Sequence, residues 1–178
     1  MIDSKPGEGT AVTIRLPRAL PPKWFVSGLT ISPGASIVVL DDDASIHQVW
    51  QGRFDSAHVK DHGVEVLHFS TPAELRSWAQ TDARTAKNPL YLMDYELTGY
   101  RETGLSLAEE LGVGSRTILV TSRSEEKGIL DDSLRIKARL IPKSLAGFVP
   151  IYIEEETARE RFDAVLIDDA PLARMNWK

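Results

Sequence analysis

Cysteine is absent from the 178 residues. That excludes a disulfide framework, a thiolate zinc site and a cysteine nucleophile, and it suits a reducing compartment, so the expected location is the cytoplasm. No apolar run approaches the roughly 20 residues that a bilayer-spanning helix needs. The polar start MIDSKPGEGT lacks the apolar centre of a signal peptide, and no membrane contact is expected in this stretch. Long basic runs are missing too. With a formal net charge of −5, direct nucleic-acid binding is not expected. Aromatic residues make up only 7%, yet 42% hydrophobic residues suffice for an ordinary core.

What the chain does have is an unbroken apolar run, residues 37–40 (IVVL), leading straight into Asp41, Asp42 and Asp43. Such a run predicts a buried parallel strand, and in open α/β sheets ligands bind at the C-terminal ends of the strands. Carboxylates this close repel one another unless a cation, a basic side chain or open solvent stands nearby. The plainer reading makes Asp43 or Ser45 the N-cap of the next helix.

The pattern then repeats. Ile46, Val49, Trp50 and Phe54 recur at helical spacing, and residues 64–69 (VEVLHF) read as a second strand. Thr71, Pro72 and Glu74 mark a helix start, with Leu75 and Trp78 facing inward. Residues 89–93 (PLYLM) are a third strand running into Asp94, and residues 104–111 a helix closed by Gly112. A fourth strand, 116–120, ends at Thr121 and Ser122. A polar helix follows over 125–138, then a fifth strand, 139–143, ending in Lys143. Strand and helix alternating about five times predicts a doubly wound parallel sheet. Right-handed crossovers bring all the strand ends to one edge. Asp41 to Asp43, Asp94, Thr121 and Lys143 should therefore converge. Several carboxylates, a hydroxyl and an ammonium suit a hard divalent cation and a phosphoryl group.

The layout of residues 36–150, with its acidic pair, later Asp94, Thr121-Ser122 and Lys143, resembles the receiver domain of two-component response regulators. The resemblance implies a flavodoxin-like (βα)5 three-layer α/β sandwich with sheet order 2-1-3-4-5. It implies Asp94 as phosphoacceptor, Thr121 as switch hydroxyl and Lys143 as phosphoryl partner. Magnesium would be held by Asp42, Asp94 and the Glu96 carbonyl, with Asp41 acting through water. The implied donor is a histidine kinase or phosphotransfer domain in the same or another chain, and a homodimer stays open. Several positions depart from that family. Ser144 replaces the usual proline, Leu140 stands where an aromatic is expected, and the turn after Asp94 is about two residues longer. The fifth helix, SLAGFVPI, is short or irregular. Glu96 and Arg123 are read as an ion pair over the site that slows hydrolysis; the alternative is two unpaired surface charges.

The flanks complete this picture. Residues 1–17, with alternating Val12, Ile14 and Leu16, read as a half-buried strand ended by Pro17. Their pattern GEGTAVTIRLP resembles the last box of the ATP-binding domain of sensor histidine kinases. Residues 18–35 are proline-rich and read as a linker. Residues 151–162 form a charged linker. The remaining stretch, 163–178, reads as the first strand of a second receiver, because residues 164–177 align without gaps on 37–50, with Asp168 and Asp169 as its acidic pair. The whole then looks like part of a hybrid sensor kinase.

Two rival readings remain. The order Asp41, Asp43, Thr121, Lys143, Asp168-Asp169 also matches haloacid-dehalogenase-like phosphatases, with Asp41 as nucleophile and Asp43 as acid/base. A degenerate receiver serving only as a docking module is the other. His58 and His62 lack a third ligand and read as a solvated turn, His47 does not read as a phosphoacceptor, and Trp50 and Trp78 read as core.

Overall fold

The computed structural model describes residues 2–7, 9–15, 20–83 and 86–154. Leu16, Pro17 and the expected second acidic pair, Asp168 and Asp169, lie outside the described residues.

The central sheet is parallel and five-stranded. In chain order its strands are β4 (Ser36–Leu40), β5 (Glu65–Phe69), β6 (Leu90–Asp94), β7 (Thr117–Thr121) and β8 (Arg139–Pro142). In space they lie β5-β4-β6-β7-β8, the 2-1-3-4-5 order of the doubly wound flavodoxin-like class. Every residue of β4 is buried because both faces of the sheet are covered. Ile37 and Val39 point into one core with Trp50, Phe54, Ile118 and Ile141. Val38 and Leu40 point into the other with Leu75, Met93, Leu107 and Leu119. This is the pleat alternation of a strand sandwiched between helical layers.

Among the described residues, four α-helices cover the sheet: α1 (Ala44–Ser56), α2 (Pro72–Thr81), α3 (Gly104–Glu110) and α4 (Lys127–Arg135). Their starts follow capping chemistry. Asp43 Oδ1 accepts from Ser45 N at 2.8 Å, capping α1. At α2, Thr71 Oγ1 accepts from Glu74 N while Glu74 Oε2 accepts from Thr71 N. At α3, Thr103 and Ser106 make the same reciprocal pair. Where a fifth helix was expected there is one 3-10 turn, Lys143–Leu145.

Two expectations for the flanks are corrected. The N-terminal stretch forms a hairpin, β1 (Ile2–Lys5) with β2 (Gly9–Val12), antiparallel with Ile2 opposite Val12. Gly7 and Gly9 adopt the positive φ that this tight reversal requires. Val12 and Ile14 are exposed rather than half-buried. Residues 24–31, expected as linker, are instead packed. Val26, Leu29 and Ile31 are buried, and β3 (Leu29–Ile31) pairs in parallel with β9 (Ile151–Ile153). The prolines at 21, 22 and 33 punctuate the segment on either side without interrupting its apolar alternation, and that alternation is what the core takes up.

Candidate functional site

Strand register places the acids side by side. Leu40 pairs with Met93, so Asp41 and Asp94 leave adjacent strand tips together. Asp94 pairs with Val120, and Thr121 with Pro142, so Thr121 and Lys143 follow at the same edge. Gly104 lets the backbone close up behind Asp94. A Cβ there would lie 2.1 Å from the Asp94 carbonyl oxygen and 3.0 Å from Met93 Cβ, so α3 can begin this close only on glycine.

The side chains converge as the order of strands requires. Lys143 Nζ donates to Asp94 Oδ2 at 2.7 Å and lies 3.0 Å from Asp41 Oδ2. One oxygen from each of Asp41, Asp42 and Asp94 lies within 4.8 Å of the other two. Asp41 Oδ1 accepts from Asp43 N at 2.9 Å, and Asp94 Oδ1 accepts from Glu96 N at 3.3 Å. The side chains of Asp41 and Asp94 are only 2% and 7% exposed.

Burial pushes the Asp94 carboxyl above its ordinary range. The Lys143 hydrogen bond opposes that shift and the neighbouring Asp41 charge adds to it. Asp41 is raised for the same first reason, against its hydrogen bonds from Asp43 and Lys143. Burial works against the charge on Lys143, but hydrogen bonds to Asp94 and Asp41 outweigh it, and its pKa is raised. Three carboxylates against one ammonium leave a formal charge of −2. Asp41 Oδ2 is buried, with the Lys143 ammonium beside it at 3.0 Å. An all-oxygen cluster that stays net negative with that ammonium counted fits a hard divalent cation.

A cavity of 540 Å³ opens over this cluster, lined by Asp42, Asp43, Ala44, Asp94, Glu96, Thr98, Ser122 and Lys143. Asp94 lines it and Asp41 does not. Thr121 is fully buried, its Oγ1 accepting from Arg123 N at 3.0 Å. Ser122, named in the sequence only as the neighbour of Thr121, and Thr98, not named there, both line the opening. For Ser122 the signal was available, because successive strand residues face opposite ways. Asp43, the acid/base of the phosphatase reading, is instead bound to the start of α1, and its hydrogen bonds from Ser45 hold its carboxyl below the usual range.

The expected Glu96–Arg123 ion pair is present, with Arg123 Nη1 3.2 Å from Glu96 Oε1; Glu96 lines the opening and Arg123 does not. Arg123 also donates to Glu126 Oε2 at 2.6 Å and lies over the Tyr95 ring. His47, given no role by sequence, donates from Nε2 to the Asp41 carbonyl at 2.7 Å and meets His68 Nδ1 at 2.9 Å. His58 precedes and His62 ends the 3-10 turn Val59–His62, and both histidines are exposed, as expected.

No family model and no curated protein matches the chain. Among solved structures it is similar to the Salmonella typhimurium RcsB response regulator, at 16% identity and a TM-score of 0.49, over 65% of this chain and 55% of that one. It is also similar to a response regulator receiver domain from Rhodospirillum rubrum, at 16% identity and 0.47, over 68% and 82%. A mutant receiver domain of the histidine kinase CKI1 from Arabidopsis thaliana matches at 17% and 0.47, over 63% and 83%. The chain spans about half the length of the first of these.

Proposed function

We propose that the chain is a phosphoacceptor module of the receiver type, with Asp94 taking a phosphoryl group from a phosphohistidine on a kinase or phosphotransfer domain. The observation that carries this reading is the placement of Asp94. Among the described residues it is the one acid that both pairs with Lys143 and lines the opening.

An Asp94 oxygen forms the new O–P bond as the P–N bond of the donor breaks, and the electron pair leaves with the imidazole nitrogen. Lys143 holds the carboxylate in place and offers its ammonium to a phosphoryl oxygen. Ser122 and Thr98 supply hydroxyls at the cavity wall. Asp41, Asp42, Asp94 and the Glu96 carbonyl would hold magnesium, which when bound neutralises charge between carboxylate and phosphoryl group. Glu96 lines the opening, and its ion pair with Arg123 would hinder water from reaching the acyl phosphate.

The phosphatase reading has less support, because Asp41 lies beneath the opening and Asp43 is committed to a helix cap. A docking module without chemistry would not need Lys143 between two buried acids. A cytoplasmic hybrid kinase as the parent chain rests on the two flanking resemblances; among the described residues, no helix is long and apolar enough to cross a membrane. Labelling with acetyl phosphate separates the schemes. Loss of the label in Asp94→Asn supports the receiver reading; phosphatase turnover that persists in Asp94→Asn and is lost in Asp41→Asn supports the phosphatase.

A further inference from the structure

Lys143 is bracketed in sequence by two anchors, and both are made by one continuous stretch. Three residues before it, Leu140 is paired on the outer edge of β8. Leu140 N donates to the Trp24 carbonyl at 2.8 Å, and Val26 N donates to the Leu140 carbonyl at 3.0 Å. After it, the chain runs through the single 3-10 turn into β9, whose pairing partner is β3. Leu29 N donates to the Pro150 carbonyl at 2.8 Å, and Glu154 N to the Ile31 carbonyl at 2.9 Å. Residues 24–31 thus hold the chain on both sides of Lys143.

Other contacts share that hold, since β8 is also paired with β7 as far as Pro142, opposite Thr121. A full fifth helix would anchor it through its own packing, and only one turn is present. The Arg53 guanidinium adds donations to the Gly147 and Val149 carbonyls. Ala146 and Val149 are buried in the same core as Val26, Leu29 and Ile31. Leu145 and Phe148 are exposed and contribute little hold.

We infer that residues 24–31 are a working part of the acidic site, acting as a strap that positions the Lys143 ammonium between Asp41 and Asp94. The role of Lys143 in phosphoryl transfer rests on the reading above; its positioning by the strap does not. Val26 is the key positioning residue, since its N–H is one of the two bonds that tie β8 to the strap. Edge pairing of this kind uses main-chain groups and tolerates side-chain change. A proline at 26 removes the donor outright.

The test is lysine acetylation by acetic anhydride at one fixed pH, read peptide by peptide on the full chain. Lys143, with its side chain 23% exposed, should react more slowly than Lys60, whose side chain is 70% exposed. In Val26→Pro the Lys143 rate relative to Lys60 should rise by about three- to tenfold, the effect of one lost hydrogen bond on an opening equilibrium. An unchanged ratio in a folded variant overturns the inference. Should Val26→Pro not fold, hydrogen exchange on the unaltered chain decides. The amides of Val26, Leu29, Leu140 and Glu154 should open together as one unit, and separate opening of the Leu140 amide overturns the strap. Neither readout requires phosphorylation, so either can fail while Asp94 labelling succeeds, and the converse.

Discussion

Lys143 and Asp94, 49 residues apart in sequence, meet at 2.7 Å because β8 and β6 flank β7 with their C-terminal ends on one edge. Truncating Lys143 removes the ammonium from two nearly buried carboxylates. Lys143→Ala should lower the rate of Asp94 labelling by at least about tenfold, since a positioned charge acts on the transition state. It should also destabilise the cation-free protein by about 2 kcal/mol or more. Single-turnover labelling and urea denaturation measure the two effects.

The raised carboxyl pKa values of Asp94 and Asp41 give stability a definite pH dependence. A carboxyl whose folded pKa lies above its unfolded value binds more protons folded than unfolded. Its stabilising contribution is full below the unfolded value and is lost as pH rises through the folded one. In chelator, stability should therefore rise as pH falls from neutral through the raised folded pKa values toward the ordinary Asp value of about 4, and Asp94→Asn should flatten that rise. Urea denaturation across the range reads it; a slope equal in both proteins contradicts it.

Relief of charge crowding predicts a gain as well. Asp94→Asn leaves Lys143 beside Asp41 and removes one of three clustered carboxylates, so stability at neutral pH in chelator should increase by about 1 kcal/mol. Magnesium should raise the melting temperature of the wild type by mass action, and that of Asp94→Asn much less.

Gly104 carries a packing prediction. Because a Cβ would fall 2.1 Å from the Asp94 carbonyl oxygen, Gly104→Ala must displace the backbone of the acceptor. A loss of about 2 kcal/mol or more is expected, together with slower labelling. Gly52, whose added Cβ meets nothing within 4 Å, is the control: Gly52→Ala in the exposed face of α1 should stabilise by about 0.5–1 kcal/mol.

The Glu96 to Arg123 pair predicts a kinetic effect without a stability effect. Both side chains are about half exposed, so Glu96→Ala should change stability by less than about 1 kcal/mol. The phosphoryl group on Asp94 should nevertheless turn over faster, and a lifetime equal to the wild type would dismiss the pair as a shield.

The sheet and most of the site were legible because buried parallel strands are continuous apolar runs and their ends carry the polar residues. Asp41, Asp94 and Lys143 each follow or end such a run. What was not legible depends on partners far along the chain. Residues 24–31 look like a linker because prolines stand on both sides, and their strand partner lies about 120 residues away at 151–153. The hairpin before them was missed because its turn glycines are also the motif glycines of the resemblance. Ser122 was overlooked beside Thr121 although strand alternation separates the two. The His47 contact to the Asp41 carbonyl is made with backbone, which side-chain motifs do not record.

The account stands most directly on a single labelling measurement. The full chain is treated with acetyl phosphate, with and without magnesium, and the modified residue is located by mass spectrometry. One phosphoryl group on Asp94, dependent on magnesium and absent in Asp94→Asn, is the predicted result. Label at Asp41, or none on Asp94 in a folded protein with magnesium present, would contradict it.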